Sequence, residues 1–390
     1  MRDGWVETTL EGIAEYINGY PFKPADLGEN GLPVIRIKQL LDPNEPVDRT
    51  ETDTPDRCLL RDGDIVFSWS GTLAVRIWNR GPAKLNQHLF RVVEKKGVCK
   101  GIIPLILDHA IEELEEKSHG TTMKHITKQT LLPHKVLLPP LPEQKRIIDL
   151  ISSVDSYIEA LQQQLESVER SRNAVLHELL TVGGDDWVET TLGQISKCAG
   201  GCAFPDAFQG NKEGIPFIKV SDMNSQDNEK YIKTSNNSVS VEVVDDLRLR
   251  IWDKGTVIFP KVGAALLTEK RRILTTKTIF DNNIMGLVPN ERVLSEFLFL
   301  LMLQIRFSDH VQPGAVPSIK NSIVEAISVL LPSLDEQKRI VTIISELDSF
   351  IHCTETSMNR TKALRSGLIS QLLSGEHEIP ASYDKVIGAA

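Results

Sequence analysis

The sequence predicts an α+β (mixed α/β) protein in which two globular modules are joined by two long helices. Residues 5–10 (Trp-Val-Glu-Thr-Thr-Leu) recur unchanged as residues 187–192, and residues 138–147 recur as residues 331–340 with eight of ten residues identical. Each later copy leads into a stretch with helical periodicity, whereas the residues between the matching ends differ strongly. The chain therefore contains an internal duplication. Its two halves should share one architecture, although the residues between the matching ends differ.

Alternating apolar and polar residues predict strands inside each module, because side chains of a strand point to opposite faces in turn. Apolar residues at helical spacing mark one further helix in each module. The predicted strands are 34–38, 63–67, 217–221 and 255–259, and the predicted helices inside the modules are 105–114 and 294–306. Both modules should therefore be mixed, with many strands.

The two long helices carry the strongest local pattern. Apolar residues fall at alternating four- and three-residue steps over 147–179 and again over 340–372, which is more than four heptads in each case. Such a pattern is typical of a coiled coil. Two matching patterns in one chain favour pairing with each other over packing as separate core helices. The connection through the second module makes the pair antiparallel, with an internal pseudo-twofold axis and the modules at opposite ends.

Two arginines interrupt the apolar interface of the predicted helix pair. Arg172 and Arg365 occupy the same heptad position in the two repeats. A charged residue at an interface needs a partner or an exit to water, because burying it alone costs free energy. In the antiparallel pair we expect Arg172 beside Asp348 and Arg365 beside Asp155.

The matching ends also define the domain boundaries. Ser333 and Glu336 form a capping-box pair before the second long helix, and Pro142 suits the first turn of the other. The remaining residues after the second helix are expected to form a loose tail. The predicted segments are the first module 1–140, the first helix 141–182, the second module 183–332, the second helix 333–375 and the tail 376–390.

Composition describes an ordinary globular protein. Of 390 residues, 41% are hydrophobic and 25% charged, which is enough to build two or more cores. No stretch resembles a membrane span, and the first thirty residues lack the basic start and apolar run of a signal peptide. The five cysteines form no paired framework, and Cys198 and Cys202 have no histidine pair nearby, which argues against zinc. We expect a cytoplasmic protein with reduced thiols.

The net charge of −9 argues against binding to DNA unless basic residues cluster locally. Two clusters are present. One combines Lys270, Arg271 and Arg272 with Lys261 and Lys277, and the other comprises the lysines and histidines between 117 and 135. A protein with this charge distribution can present a basic face despite its acidic average.

Two variable modules, each closed by a Leu-Pro-x-Leu-x-Glu-Gln-Lys-Arg-Ile segment and a long helix, resemble the specificity subunits of Type I restriction-modification systems. The resemblance covers nearly the whole chain. Further matches in the first module are 70–72 (Ser-Gly-Thr), 86–89 (Asn-Gln-His-Leu) and 120–126 (Gly-Thr-Thr-Met-Lys-His-Ile). The second module departs from these at 262–264, 282–285 and 314–319, as a different target sequence would require.

The resemblance implies that the modules are target recognition domains. Each would recognise one half of a split, asymmetric site in double-stranded DNA, and the helices would set the gap. It further implies partners: two methyltransferase (modification) subunits that carry S-adenosylmethionine, and restriction subunits that use ATP and Mg. The chain itself would be non-catalytic and bind neither cofactor nor metal.

The sequence contains no strong catalytic motif. The sequence has no glycine-rich phosphate loop, no dinucleotide fingerprint and no Asn/Asp-Pro-Pro-Tyr/Phe motif of adenine methyltransferases. Pro55-Asp56 with Glu94-Lys95-Lys96 faintly resembles a nuclease string, but that pattern is short and common by chance. We therefore predict no catalytic residues.

Donors and acceptors near strand ends and turns are the candidates for DNA binding, since sequence recognition needs such groups at base edges. A solvated loop, or a core position for Trp69, is the competing interpretation of each. The candidates of the first module are Arg36, Lys38, Gln39, Ser68, Trp69, Ser70, Thr72, Asn86, Gln87, His88, Thr121, Thr122, Lys124 and His125. Those of the second are Lys219, Ser221, Lys261, Lys270, Arg271, Arg272, Lys277, Asn282, Asn283, Ser318 and Lys320.

The two helix starts, 143–146 and 336–339, are the candidates for partner docking. A duplicated chain presents nearly the same surface twice, so one type of partner should bind twice. Helix capping and surface charge are the competing interpretation of the motif. The predicted docking residues are Glu143, Gln144, Lys145, Arg146, Glu336, Gln337, Lys338 and Arg339.

Three other functions stay open at this point. The chain could be a DNA-binding specificity module of another defence or modification system. It could be a self-sufficient nuclease or methyltransferase, which turnover by the purified chain would reveal. A purely structural coiled-coil scaffold would show no sequence preference and would explain the divergent modules poorly.

Overall fold

A computed structural model describes residues 2–117, 128–184, 186–204, 207, 209–311 and 316–388. The chain divides into two compact units, one formed by residues 1–163 with 356–390 and the other by residues 164–355. Both units combine sheets with helices, and both contain segments of the two long helices. The predicted mixed α/β class with two modules and two long helices is confirmed.

The first unit contains ten strands among its described residues. The strands are β1 (Val6–Thr9), β2 (Ala14–Asn18), β3 (Leu32–Ile35), β4 (Arg49–Thr50), β5 (Leu59–Leu60), β6 (Ile65–Ser68), β7 (Ala74–Ile77), β8 (Ala83–Leu85), β9 (Leu89–Glu94) and β10 (Lys135–Leu138). The helices are α1 (Leu10–Ile13), α2 (Ile37–Leu41), α3 (Ile102–Lys117), α4 (Lys128–Leu131) and the start of the long α5 (Leu141–Thr181).

These strands form one four-stranded sheet in the order β2-β9-β6-β7, a second in the order β4-β3-β8-β5, and the two-stranded ribbon β1-β10. Among the described strands of this first unit, only the β3–β8 pairing is parallel. The main core lies between the first sheet and α3, with Phe67 and Phe90 fully buried. Ile147 of α5 completes this core, so the long helix is anchored to the module.

The second unit repeats this plan. Its strands are β11 (Val188–Thr191), β12 (Ser196–Gly200), β13 (Ile215–Ile218), β14 (Tyr231–Ile232), β15 (Asn237–Val239), β16 (Val257–Pro260), β17 (Arg272–Leu274), β18 (Ile279–Phe280), β19 (Ile284–Pro289) and β20 (Ser328–Leu331). Its helices are α6 (Leu192–Ile195), α7 (Val241–Asp246), α8 (Ser295–Gln304), α9 (Asn321–Glu325) and the start of the long α10 (Leu334–Leu373). The chain then returns to the first unit, which also contains the short α11 (Asp384–Ile387). The sheets have the orders β12-β19-β16-β17-β14, β15-β13-β18 and β11-β20.

Most predicted elements are present, with one correction. The prediction of a strand over 34–38 is wrong beyond Ile35, because Arg36 caps α2 and its backbone N–H donates to the Gln39 side chain. The same correction applies to 217–221, where the Lys219 backbone N–H donates to Asp222 and a short 3-10 turn follows. In each case a polar side chain three residues on satisfies the backbone and ends the strand.

Segments of α5 and α10 pack together antiparallel within each unit. In the first unit, Ile147 and Ile151 of α5 share a core with Ile369 and Leu372 of α10. In the second, Leu176 and Leu180 share a core with Ile340 and Ile344. Later residues of α5 thus meet earlier residues of α10 in the second unit. One half of the capping box predicted for α10 forms, with the Glu336 N–H donating to Ser333 Oγ at 3.3 Å, whereas the Glu336 carboxylate accepts from Arg339.

Candidate functional site

In the first module, two turns carry polar candidates side by side. Strand β6 pairs with β9, with Ser68 opposite Leu89, so the turn after β6 lies next to the turn before β9. The Trp69 ring stacks on Phe90 at 5.6 Å between centroids and lies 6.3 Å from the His88 ring. Gln87 and His88 are exposed beside it. Trp69 thus forms a half-buried platform flanked by polar side chains.

Three predicted contact residues of this module are buried and shape the turns. Ser68 is fully buried, and its hydroxyl donates to the Thr72 carbonyl at 2.6 Å. Asn86 is 6% exposed and accepts from the His88 backbone N–H, while Gln39 is 7% exposed and donates to the Pro46 carbonyl. These side chains satisfy backbone groups, so they are poorly placed to contact a ligand.

The remaining candidates of the first module are on its surface or lie outside the described residues. Arg36 is half-buried and forms an ion pair with Asp48, and Lys38 is exposed on α2. Ser70 is half-buried and Thr72 exposed at the Trp69 turn. The candidates outside the described residues are Thr121, Thr122, Lys124 and His125.

The second module brings its own candidates together at the corresponding strand ends. The Lys261 backbone N–H, after β16, donates to the Asn283 carbonyl at 2.8 Å, and the Lys261 carbonyl accepts from Ile319. This places Lys261 beside the exposed Asn282 and Asn283 and beside the segment that contains Ser318 and Lys320. The pairing of β16 with β19 corresponds to that of β6 with β9. In both modules, polar residues therefore lie at the same end of the equivalent strand pair.

The run Lys270-Arg271-Arg272 is a correction to the predicted basic patch. Arg271 is 2% exposed, and its guanidinium donates to the Met302 and Ile305 carbonyls and to Glu269. Burial lowers the pKa of Arg271 below its usual value, and Glu269 opposes that shift. Arg271 therefore holds the end of α8 and cannot reach a ligand from this position.

The neighbours of Arg271 are less buried. Arg272 donates to the Met223 carbonyl at 2.8 Å, and burial lowers its pKa as well. Lys270 donates to the Asn224 side chain. Lys219 lies 3.8 Å over the Phe204 ring and donates to Gln209. Lys277 and Ser221 are exposed.

The two helix starts are tied to their modules by a buried glutamine. Gln144 is 1% exposed, donates to the Pro139 and Gly97 carbonyls and accepts from the Cys99 N–H. Gln337 is fully buried and makes the equivalent contacts with Pro332, Arg292 and Leu294. The repeated glutamine therefore orients each long helix on its module, and it is unavailable for the predicted docking.

Charged residues of the two helix starts have different neighbours. Glu143 is 6% exposed, accepts from Trp5 Nε1 at 3.0 Å and pairs with Arg2. Arg146 makes a bidentate pair with Asp384, with both distances 2.7 Å. In the second unit Glu336 and Arg339 pair with each other, and that arginine is 55% exposed. Lys145 and Lys338 are exposed in both copies.

The tail and Lys230 contribute contacts that the sequence did not predict. Ile379 is 6% exposed, and the Tyr383 hydroxyl donates to Asp149 at 2.9 Å, so the expectation of a loose tail is wrong for these residues. Lys230 pairs with Asp348 at 3.0 Å. Neither segment has a repeat or a periodicity that would have marked it.

The described part of the chain offers neither a metal site nor a membrane-spanning helix. There, no three histidine, cysteine, aspartate or glutamate side chains are grouped so that they could hold a metal ion. No described helix is long and apolar enough to cross a membrane.

The chain is similar to known proteins over most of its length. The family model described as Type I restriction modification DNA specificity domain matches residues 2–170 and 184–362. The EcoBI specificity subunit of Escherichia coli is 24% identical, covering 99% of this chain and 92% of that protein. The MjaVIII specificity subunit of Methanocaldococcus jannaschii is 21% identical, with coverages of 96% and 93%.

Solved structures of low sequence identity share the fold. The crystal structure of a Type I restriction-modification S subunit from M. genitalium has a TM-score of 0.54 at 15% identity, covering 95% of this chain and 96% of that one. A chain from a structural study of complex assembly in a type I R-M system has a TM-score of 0.66 at 15% identity, with coverages of 96% and 98%.

Proposed function

The chain belongs to the Type I restriction-modification DNA specificity family, and we propose that each of its modules recognises one half of a split, asymmetric DNA site. Membership makes it the non-catalytic specificity subunit of such a system. The proposal that the two modules recognise different half-sites rests on one observation. The same pair of strand ends presents Trp69, Gln87 and His88 in the first module but Lys261, Asn282 and Asn283 in the second.

The chemistry of these two sets suits base recognition in the major groove. Gln and Asn side chains can both donate and accept, so they form bidentate hydrogen bonds with adenine. Gln87, Asn282 and Asn283 are exposed at turns that a sheet holds in place. Different side chains on the same framework would select different bases, which is the property that an asymmetric site requires.

Exposed lysines supply the contacts to phosphate. Lys38 and Lys277 are exposed and form no ion pair with another described residue. Lys320 caps α9 with its backbone, and the residue is exposed. Phosphate contacts position a protein on DNA without specifying sequence. They also overcome the unfavourable net charge of −9 locally.

The paired helices act as the spacer in this proposal. Gln144 and Gln337 hydrogen-bond each helix start to its module, so the orientation of the module is fixed relative to its helix. A rigid connection between recognition module and helix is what a fixed gap between half-sites requires. The length of the gap depends on how the modules are oriented on DNA.

The partners in this proposal are two methyltransferase subunits and, in a complete system, restriction subunits. S-adenosylmethionine would be bound by the methyltransferase, and ATP with Mg by the restriction subunit, while this chain supplies specificity. The duplicated surface supports two copies of one partner. The exposed residues that both copies of this surface have in common are Lys145 in the first repeat and Lys338 in the second.

Methylome sequencing of the host tests this function. A split, asymmetric methyladenine motif should be present with the chain and vanish when its gene is deleted. Complementation with the intact gene is the matched control and should restore the motif. A continuous or palindromic motif would contradict the half-site model, and turnover by the purified chain with S-adenosylmethionine would contradict the non-catalytic role.

A further inference from the structure

The first helix start contains a filled arginine site. The Arg2 guanidinium lies over the Trp5 ring at 5.4 Å from its centroid. It also pairs with Glu143 at 3.1 Å and donates to the His377 carbonyl at 2.9 Å. An aromatic face beside a carboxylate binds a guanidinium well, because the cation is attracted to both groups at once. Trp5 is only 5% exposed in this arrangement.

The second helix start has the same receptor residues without the arginine. Trp187 corresponds to Trp5 and Glu336 to Glu143, but the position of Arg2 is taken by Gly184, which has no side chain. An open groove of about 580 Å³ is present there. Its lining includes Trp187, Glu336, Leu179 and Val182, and Trp187 is only half-buried.

The charge of this groove favours a cationic ligand. Four carboxylates line it, those of Glu178, Asp186, Asp335 and Glu336, against one guanidinium, that of Arg339. Arg339 pairs with Glu336 at 2.6 Å, and Lys338 pairs with the highly exposed Asp335. Glu178 and Asp186 add further negative charge to the groove. Arg339 is the one lysine or arginine among the described lining residues, so this charge is not neutralised there.

We propose that this groove binds an arginine side chain of a partner protein, in the arrangement that Arg2 adopts on Trp5 and Glu143. The arginine enters over the Trp187 ring, beside the carboxylates of Glu178 and Asp186. It shares the Glu336 carboxylate with Arg339, which donates to both oxygens of that group. The identity of the partner as a methyltransferase subunit rests on the proposed function, whereas the arginine site does not. The two helix starts are then unequal docking surfaces, since the chain itself fills the first.

A small probe tests the site on the full chain. N-acetyl-arginine amide is titrated while the indole N–H signals of the tryptophans are followed by NMR. The Trp187 signal should shift saturably, and the Trp5 signal should stay in place because Arg2 occupies that site. N-acetyl-citrulline amide has the same shape without the charge, so it should bind at least about tenfold more weakly. Equal shifts from both probes, or no saturable shift of Trp187, would overturn the proposal.

Two variants of the chain sharpen the test. Gly184→Arg should fill the groove from within and abolish the shift; an added Cβ would meet only the movable Asp186 carboxylate under 3.0 Å. Glu336→Gln should weaken the probe about tenfold, whereas Glu346→Gln, on an exposed part of the same helix, should not. Unchanged binding by Glu336→Gln would refute the site. A chain that binds the probe but no methyltransferase would instead refute the proposed partner.

Discussion

Arg172 on the first long helix donates from Nε to Asp348 Oδ1 on the second at 2.9 Å. Lys230 of the second module donates to the other oxygen of the same carboxylate at 3.0 Å. Asp348 thus links both helices and the module within one unit. The equivalent pair in the first unit, Arg365 with Asp155, also forms, with a second contact at 3.2 Å.

Replacing Asp348 by Ala should destabilise the second unit more than replacing either of its partners. The Arg172 and Asp348 side chains are 15% and 28% exposed, so loss of the carboxylate leaves two partly buried cations unpaired. We expect a loss of about 1–3 kcal/mol after allowing for solvent screening. Urea unfolding of Asp348→Ala, Arg172→Ala and the double variant measures the coupling. Additive losses would show that the pair contributes nothing of its own.

Arg271→Ala should reduce stability without a specific effect on DNA binding. The side chain is 1% exposed and binds the carbonyls that end α8, so its removal leaves those carbonyls without the guanidinium donor. Glu269 loses its cation and keeps only the backbone N–H groups of Phe307 and Ser308. A loss of about 3 kcal/mol in the free energy of unfolding is expected. The matched variant is Lys277→Ala, which is exposed and should leave stability unchanged while reducing the salt dependence of DNA binding by about one phosphate contact. A stable Arg271→Ala protein with impaired binding would contradict this assignment.

Gln87→Ala should relax recognition in one half-site alone. Gln87 is exposed next to the Trp69 platform, and a lost bidentate contact costs about 1–3 kcal/mol of discrimination against the wrong base. Binding to DNA panels that vary each half-site separately provides the measurement. Asn79→Ala, an exposed amide past the far end of β7, is the control and should change neither half-site. Relaxation in both half-sites would argue against separate modules.

The stability of the first unit should fall as pH rises from about 4 to about 6, because of Asp108. Burial raises the pKa of its carboxyl to about 6, with smaller contributions from Glu112 and Asp155, while Arg365 and Arg76 oppose the shift. The folded state therefore holds a proton that the unfolded state has lost within this window, and ionisation at higher pH costs about 1–3 kcal/mol. Asp108→Asn should remove this component of the pH dependence in urea unfolding, whereas Asp53→Asn on the surface should not. An unchanged slope in Asp108→Asn would contradict the assignment.

The helix pair and its ion pairs could be predicted because heptad spacing and connectivity together fix direction and register. Arg172 and Arg365 were identifiable as interface residues for that reason. The burial of Arg271 could not be predicted, since a run of three basic residues does not reveal which one faces the core. The repeated motif likewise marks Gln144 and Gln337 as docking residues, because the loops whose backbone carbonyls they bind have no sequence signature.

The packed tail and the ends of the strands at Arg36 and Lys219 depend on contacts of individual side chains that no periodicity predicts. Tyr383 is fixed by Asp149, and the two strand ends by Gln39 and Asp222. The domain boundaries stay predictions, as do the individual DNA-binding residues. The placement of the modules at opposite ends of the helix pair is a prediction of the same kind.

A module exchange tests the half-site model most directly. Residues 11–137 are replaced by the corresponding module of another specificity subunit, and the host methylome is sequenced before and after. The model predicts that one half of the methylated motif changes while the other half stays the same. A change in both halves, or in neither, would contradict it.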